Sequence, residues 1–424
     1  MFKSIIKQIL NRKRSNAWIT VELLLVFLLV WYMTDYFFAL NCNYHLPNAR
    51  HIEQTWKVNL ARFPQNHPQY SAEANSGEVM EANFARILQT IRDYPGVEAV
   101  SVSNRNSAPE SGALEENGYF SPDDSTNHVW GQLIRIDTKE DFFRVFGYTT
   151  NQGKTPVSIS DFDWTNPNGV VVGRLVADRL FPSGSAIGKA LNDNHTIIGI
   201  VDDIKRFDSE RPRTAYYVPF RVDSTSLRYS VISIRSSSAL TDAAFQAAFT
   251  AEMSQRLQIG NFYMQNIVSY RKLAKTGVFQ SMMANISKQL SSLIVFFLLN
   301  ILLCVMGTFW YRIQMRRDEI GLRKALGATG NGIRNHLLAE GLCLLTIALI
   351  PALLIEFQIV YADLNITLGR ADDGRVYLPD RTALRFLITN GITWVMMATV
   401  ILAAIWLPAR KAAALPAAEA LHYE

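Results

Sequence analysis

The chain has 424 residues, 49% of them hydrophobic and 19% charged, with a formal net charge of +5. It holds three cysteines, and Cys304 and Cys343 fall inside apolar runs, so Cys42 is the lone cysteine outside them. A disulfide within any external domain is thereby excluded. The basic excess shows no basic-aromatic pattern of the kind that reads nucleic acid.

Residues 1–17 carry Lys3, Lys7, Arg12, Lys13 and Arg14 and no acid. Phe2, Ile5, Ile6, Ile9 and Leu10 recur between them at helical spacing, which predicts a cytoplasmic amphipathic helix on the inner membrane surface. Residues 18–40 then form an apolar run long enough to cross a bilayer, which takes roughly 20 residues. The run is too long for a cleaved signal peptide, and Asn41-Cys42-Asn43-Tyr44 offers no small-residue cleavage site, so it is an anchor. Three further spans follow at 290–311, 337–360 and 384–407. The fold class expected is a membrane protein with four transmembrane α-helices and a large α+β extracytoplasmic domain of two lobes between helices 1 and 2. That polar insert, 41–289, dilutes the overall hydropathy.

Charge sets the orientation. The loop 312–336 holds Arg312, Arg316, Arg317, Arg323, Lys324 and Arg334, and the tail 408–424 holds Arg410 and Lys411. Short basic loops stay inside, so both termini and this loop are expected in the cytoplasm. The insert and the short loop 361–383 are then outside. Arg370, Arg375 and Arg381 in the short loop work against this, since the rule largely ignores the acids beside them.

The insert reads as mixed α and β. Glu78 to Arg92 has helical apolar spacing and ends at Tyr94-Pro95-Gly96; Val97 to Val102 alternates as a strand. Val129 to Ile136, Gly169 to Val172, His195 to Val201, Tyr216 to Pro219 and Tyr229 to Ile234 are further strands. Arg174 to Leu180 and Leu240 to Leu257 are helices. The order suggests two small lobes, the second inserted in the first. Residues 265–289 are expected as a polar, continuous helical stalk. Exposed Cys42 is a free thiol or an interchain one.

Chemistry-bearing motifs are sparse. Gly184-Ser185-Ala186-Ile187-Gly188-Lys189-Ala190 has three residues between its glycines and no Ser or Thr after the lysine, so it fails as a phosphate loop and reads as a turn. The histidines form no metal-ligand spacing, and Asp202, Asp203 and Asp208 lack a calcium-loop pattern. Nothing marks a nucleophile. No cofactor or metal is expected on the chain, and no catalysis. Within the spans the polar candidates are Glu22, Asn300 and Glu340, with Glu356 and Asn390. Intramembrane ionisable groups are costly and tend to be functional; pairing with nearby arginine suits Glu22 and Glu340, near the inner ends of their helices.

The loop 312–336 is the most specific segment. Small residues, charges and aliphatics alternate there at helical spacing and close on Gly327-Ala328-Thr329, as a surface that docks on another protein would. Glu319-Ile320-Gly321-Leu322-Arg323-Lys324-Ala325-Leu326-Gly327-Ala328, followed by Ile333 and Leu337-Leu338-Ala339-Glu340, closely resembles the signature of MacB/FtsX-type ABC transporter permeases. The tail from Pro408 is similar to that family's closing motif, in which an arginine usually stands in place of His422. Phe142-Phe143-Arg144-Val145-Phe146-Gly147 and Ala177-Asp178-Arg179-Leu180-Phe181, with Ile187-Gly188-Lys189, are similar to its periplasmic core domain.

The resemblance implies a non-catalytic permease subunit in the bacterial inner membrane, dimeric with itself or with a related permease. ATP and magnesium would sit on a separate ABC ATPase chain. Glu319, Gly321, Arg323, Lys324, Ala325, Gly327 and Ala328 would form the coupling surface. The stalk and the end of the anchor near Asp35–Asn43 would act as levers for periplasmic motion, for efflux or export. A periplasmic adaptor, an outer-membrane duct and membrane lipid are the further partners implied. Two alternatives stay open: a regulatory scaffold signalling to an envelope enzyme or serving lipoprotein release, and a membrane-tethered sensor.

Overall fold

A computed structural model describes residues 13–110, 113–182, 184–237, 241–362, 364 and 378–414. The amphipathic helix before Lys13, most of the short loop 361–383 and the closing tail with His422 lie outside these residues. The described residues divide into two compact units, one holding the long apolar helices and the other the extracytoplasmic domain.

The chain opens on α1 (Lys13–Tyr44). The extracytoplasmic unit then runs β1 (Thr55–Arg62), α2 (Gly77–Arg92), β2 (Val97–Asn104), β3 (Glu116–Ser121), β4 (Asp124–Ile136) and the single turn α3 (Phe142–Val145). The short pair β5 (Thr149–Thr150) and β6 (Thr155–Pro156) precedes β7 (Gly169–Gly173), α4 (Arg174–Leu180) and β8 (Thr196–Val201). A second short pair, β9 (Ile204–Lys205) and β10 (Pro212–Arg213), leads to β11 (Ala215–Pro219), β12 (Ser230–Ser236), α5 (Asp242–Arg256), β13 (Phe262–Ser269) and α6 (Tyr270–Thr276).

Nine of these strands form one sheet, in the order β13-β1-β12-β2-β4-β11-β7-β8, with β3 added to β4. The sheet is narrow at one point: β2 and β4 share a single register pair, Ser103 with Ile136. That point divides two lobes. In the first, β1-α2-β2 and β12-α5-β13 interleave as two crossover units, so every neighbouring pair is antiparallel. In the second, parallel pairs β4/β11 and β7/β8 flank an antiparallel β11/β7 contact. The second lobe is inserted in sequence between β2 and β12.

Each lobe has its own core because its helices bury one face. On α2, Met80, Phe84, Ile87, Leu88 and Ile91 point inward, while Val79 on the same helix is exposed. They share one core with Phe245, Phe249 and Met253 of α5. In the second lobe, Val176, Ala177 and Leu180 of α4 pack on Val170 and Val172. The Phe142–Gly147 motif builds a third cluster, with Phe142, Phe143 and Phe146 buried against Tyr148 and Tyr217.

The expected continuous stalk is corrected. Residues up to Ser269 belong to β13, and α6 ends at Gly277 before the next helix begins. The strand escaped the pattern because Gln265 and Asn266 are exposed between buried Met264 and Ile267, at a register shift against β1. Gly277 takes an extended conformation, φ −57° and ψ 149°, which stops the helix there.

The membrane unit consists of α1, α7 (Val278–Met315), α8 (Arg317–Ala325), α9 (Gly330–Tyr361) and α10 (Thr382–Ala414). Among the described residues, four helices are long and apolar enough to cross a membrane, over Ala17–Tyr44, Met282–Met315, Gly330–Tyr361 and Thr382–Ala414. Their core runs from Leu23, Phe27 and Trp31 of α1 to Leu344 and Ala348 of α9 and Ile401 and Ile405 of α10. Gly341 lets α9 close on α10, because a Cβ there would run into the side chain of Ile405. Trp31 Nε1 donates to Thr389 Oγ1 at 3.0 Å, tying α1 to α10.

Phe249 is fully buried and meets Tyr94 at 4.9 Å between ring centroids. Phe249→Ala is expected to destabilise the first lobe by about 3–5 kcal/mol. Proteolysis of the purified chain under native conditions reads this; unchanged resistance around α2 and α5 would contradict the packing.

Candidate functional site

The loop between the second and third spans is mostly helix. α8 begins at Arg316, its N-cap residue, and carries Asp318 and Glu319 in its first turn and Arg323 and Lys324 in its last, the arrangement its dipole favours. It ends in a Schellman turn. Ala328 N–H donates to Arg323 O at 2.9 Å and Gly327 N–H to Lys324 O at 2.9 Å. The turn needs a left-handed residue, and Gly327 supplies it at φ +96°. Thr329 then caps α9, its Oγ1 accepting from Gly332 N–H at 3.2 Å.

The base of this segment is held by charge. Glu340 of α9 is buried and accepts from Arg316 at 3.0 Å and Arg312 at 3.4 Å, both also buried. Lys324 Nζ reaches the carbonyl of Ala413 on α10 at 2.8 Å. Glu319 and Arg323 pair with each other one turn apart, at 2.6 Å.

The predicted surface residues therefore separate. Ile320 and Gly321 are buried and face the bundle, so Gly321 is not on the open face. Lys324, Glu319 and Arg323 make contacts within the subunit. Ala325, Gly327 and Ala328 are exposed. Two residues outside the expected set dominate the open face: Leu322 is 55% exposed and Leu326 79%. Their spacing of four, on the side away from Ile320, is the periodic signal that marks them.

Among the intramembrane candidates, Glu340 is paired as the arginine-rich loop suggested. Glu22 has a different partner, the thiol of Cys304, whose Sγ donates to Glu22 Oε2 at 2.8 Å. Asn300 is exposed on α7. A second buried ion pair has no counterpart in the sequence motifs: Arg385 of α10 grips Asp35 of α1 with two hydrogen bonds, Nε to Oδ1 at 2.7 Å and Nη2 to Oδ2. Glu356 is fully buried on α9, near Asn390 and Asp35.

The extracytoplasmic motifs are structural. Residues Ala186 to Ala190 form a turn, with Gly188 at φ +82°, leading to a strand bridge rather than to a helix N-terminus. Asp203 Oδ1 accepts from Leu175 N–H at 2.8 Å at the start of α4. Asp202 accepts from Gly153 N–H at 2.8 Å and Thr149 Oγ1 at 3.3 Å, latching the β5–β6 turn. Among the described residues no cluster of three or more metal-ligating side chains occurs.

Glu340→Gln should remove the carboxylate that Arg312 and Arg316 share. The expected loss is about 3 kcal/mol or more, read as a lowered melting temperature of the detergent-solubilised chain. An unchanged melting temperature would show that the pair does not hold the bundle.

Residues 48–252 match the family model of the MacB-like periplasmic core domain, and residues 291–417 that of the FtsX-like permease C-terminal. Together these span most of the chain. Three solved structures are similar. The periplasmic region of MacB from Actinobacillus actinomycetemcomitans is 15% identical, with 53% of this chain and 93% of that one covered and a TM-score of 0.31. The extracellular domain of the ABC-type transporter YknZ from Gram-positive bacteria is 15% identical, with 50% and 100% covered and a TM-score of 0.29. A domain of a putative permease from Porphyromonas gingivalis is 13% identical, with 52% and 91% covered and a TM-score of 0.31. No curated protein matches the chain. With both domains and four apolar helices in one chain, the protein belongs to the MacB/FtsX-type permeases, the multi-pass membrane components of ABC-type transporters.

Proposed function

We propose that this permease couples ATP hydrolysis on a separate ATPase chain to motion of its extracytoplasmic lobes, for export across the envelope. The observation that carries this reading is the open face of α8. Leu322 and Leu326 stand exposed on a short helix whose other face is fixed to the bundle. Covering a leucine fully stabilises by about 1.5–3 kcal/mol, so a partner with an apolar cleft gains from both. Ala325, Gly327 and Ala328 lie beside them and allow close backbone approach.

In this reading α8 faces the cytoplasm of a bacterial inner-membrane protein, with both termini inside. The subunit works as a dimer, with itself or with a related permease, and ATP and magnesium are held by the partner ATPase. A periplasmic adaptor and an outer-membrane duct are the additions that export would require.

Leu322→Glu combined with Leu326→Glu should weaken ATPase binding by about a hundredfold or more, the equivalent of two lost apolar contacts. Co-purification from membranes measures it; an ATPase retained at wild-type stoichiometry by the double variant would refute the docking role. Orientation has its own check, in a chain with the native cysteines replaced. Gly184→Cys should react with an impermeant thiol reagent added outside intact cells, and Ala328→Cys should not. The opposite pattern would invert the topology.

A further inference from the structure

The sheet of the first lobe forks where β1 leaves β12. β1 pairs with β12 only from Thr55 to Val58. Asn59 to Arg62 continue against β13 alone. The ladder shifts register between Asn59 and Leu60, where Gln265 has no opposite number, and a bulge of this kind bends and twists its strands. β12 meanwhile stays with β2 through Ser230. Two strand edges thus face each other without a ladder between them, and unpaired edges are ready templates for another strand.

The fork holds a cleft of about 340 Å³. Lys57, Arg62, Arg105 and Arg228 line it, and among the described residues no carboxylate does. Arg228 and Arg105 both lie over the ring of Tyr229, at 4.5 and 5.9 Å, which orders two guanidinium groups at the rim. Burial first, and then the charge of Arg105, holds the Lys57 ammonium below the ordinary lysine range. That is the behaviour of a partly desolvated cation with no acid to answer it. Phe84 and Phe262, two rings of the lobe's core, also line the cleft.

We propose that this fork is the docking cleft for an extended acidic peptide segment of an extracytoplasmic client or partner. Its backbone would pair with the open edge of β1, its carboxylates would meet the four cations, and one apolar side chain would reach the phenylalanines. Charge complementarity selects an acidic ligand. The open strand edge and the aromatic wall select a peptide over a small anion, which would use the cations alone.

The test is fluorescence anisotropy with the full-length chain in detergent and a labelled oligo-glutamate peptide carrying one central phenylalanine. Neither ATP nor an ATPase is present, so the result is independent of the coupling reading. Saturable binding is expected, weakened about tenfold or more by Lys57→Gln with Arg105→Gln. Replacing the peptide's phenylalanine with glycine should also weaken it, and inorganic phosphate should compete poorly. Arg228→Gln, at the exposed rim, gives a second variant should the first fail to fold. Absent binding, or equal binding to every variant, overturns the proposal. Displacement by phosphate as effectively as by unlabelled peptide also overturns it and makes the cleft a small-anion site.

Discussion

The bundle depends on one constraint: an ionised group among apolar helices needs its opposite charge beside it. Among the described residues, two buried clusters meet that demand. Asp35 and Arg385 join α1 to α10, and Glu340 joins the end of α7 to the start of α9 through Arg312 and Arg316. The second cluster also positions α8, because Arg316 is the residue at which that helix starts. A helix of nine residues does not hold its shape alone in water. This one is pinned at its start by the Arg316–Glu340 contact. Its end is closed by the turn at Gly327 and by Lys324 on the carbonyl of Ala413.

Pinned ends give α8 two distinct faces. Ile320 belongs to the core of the spans, and Gly321 beside it is buried. Leu322 and Leu326 are left outside. Glu319, Arg323 and Lys324 make contacts within the subunit, and the two leucines are left exposed. That outer face is tied to α7, α9 and α10 through the ion pair, the buried isoleucine and the lysine contact.

The spans were legible because an apolar run of that length rarely folds as anything but a membrane helix, and the second lobe's insertion followed from the order of alternating segments. Further features were hidden for physical reasons. The alternation of β13 is broken by a bulge, whereas β1 does alternate apolar and polar residues from Trp56 to Leu60 and was legible in the sequence. Asp35 and Arg385 lie 350 positions apart, and only the packing of α1 on α10 brings them together. In α8, residue type suggests a contact but side-chain direction decides it. Gly321 turns inward, while Leu322, one position on, turns out; a periodicity counted from Ile320 separates them.

The extracytoplasmic unit shows how spent and unspent charge can be told apart. Asp202 and Asp203 attract attention in the sequence, yet their oxygens accept from the backbone and hydroxyl groups of their own lobe. A carboxylate committed in this way has little left for a ligand. The cations of the first lobe differ: the β1–β12 ladder stops at Val58, and among the described residues no carboxylate lines the gap beyond it. Lys57 and Arg105 face the same cleft without a carboxylate between them. Like charges held together at a cost to the free protein are retained stably only where the rest of the fold outweighs them, and an acid supplied from outside relieves that cost. The asymmetry within one sheet therefore separates residues that build the domain from residues that remain available to a partner.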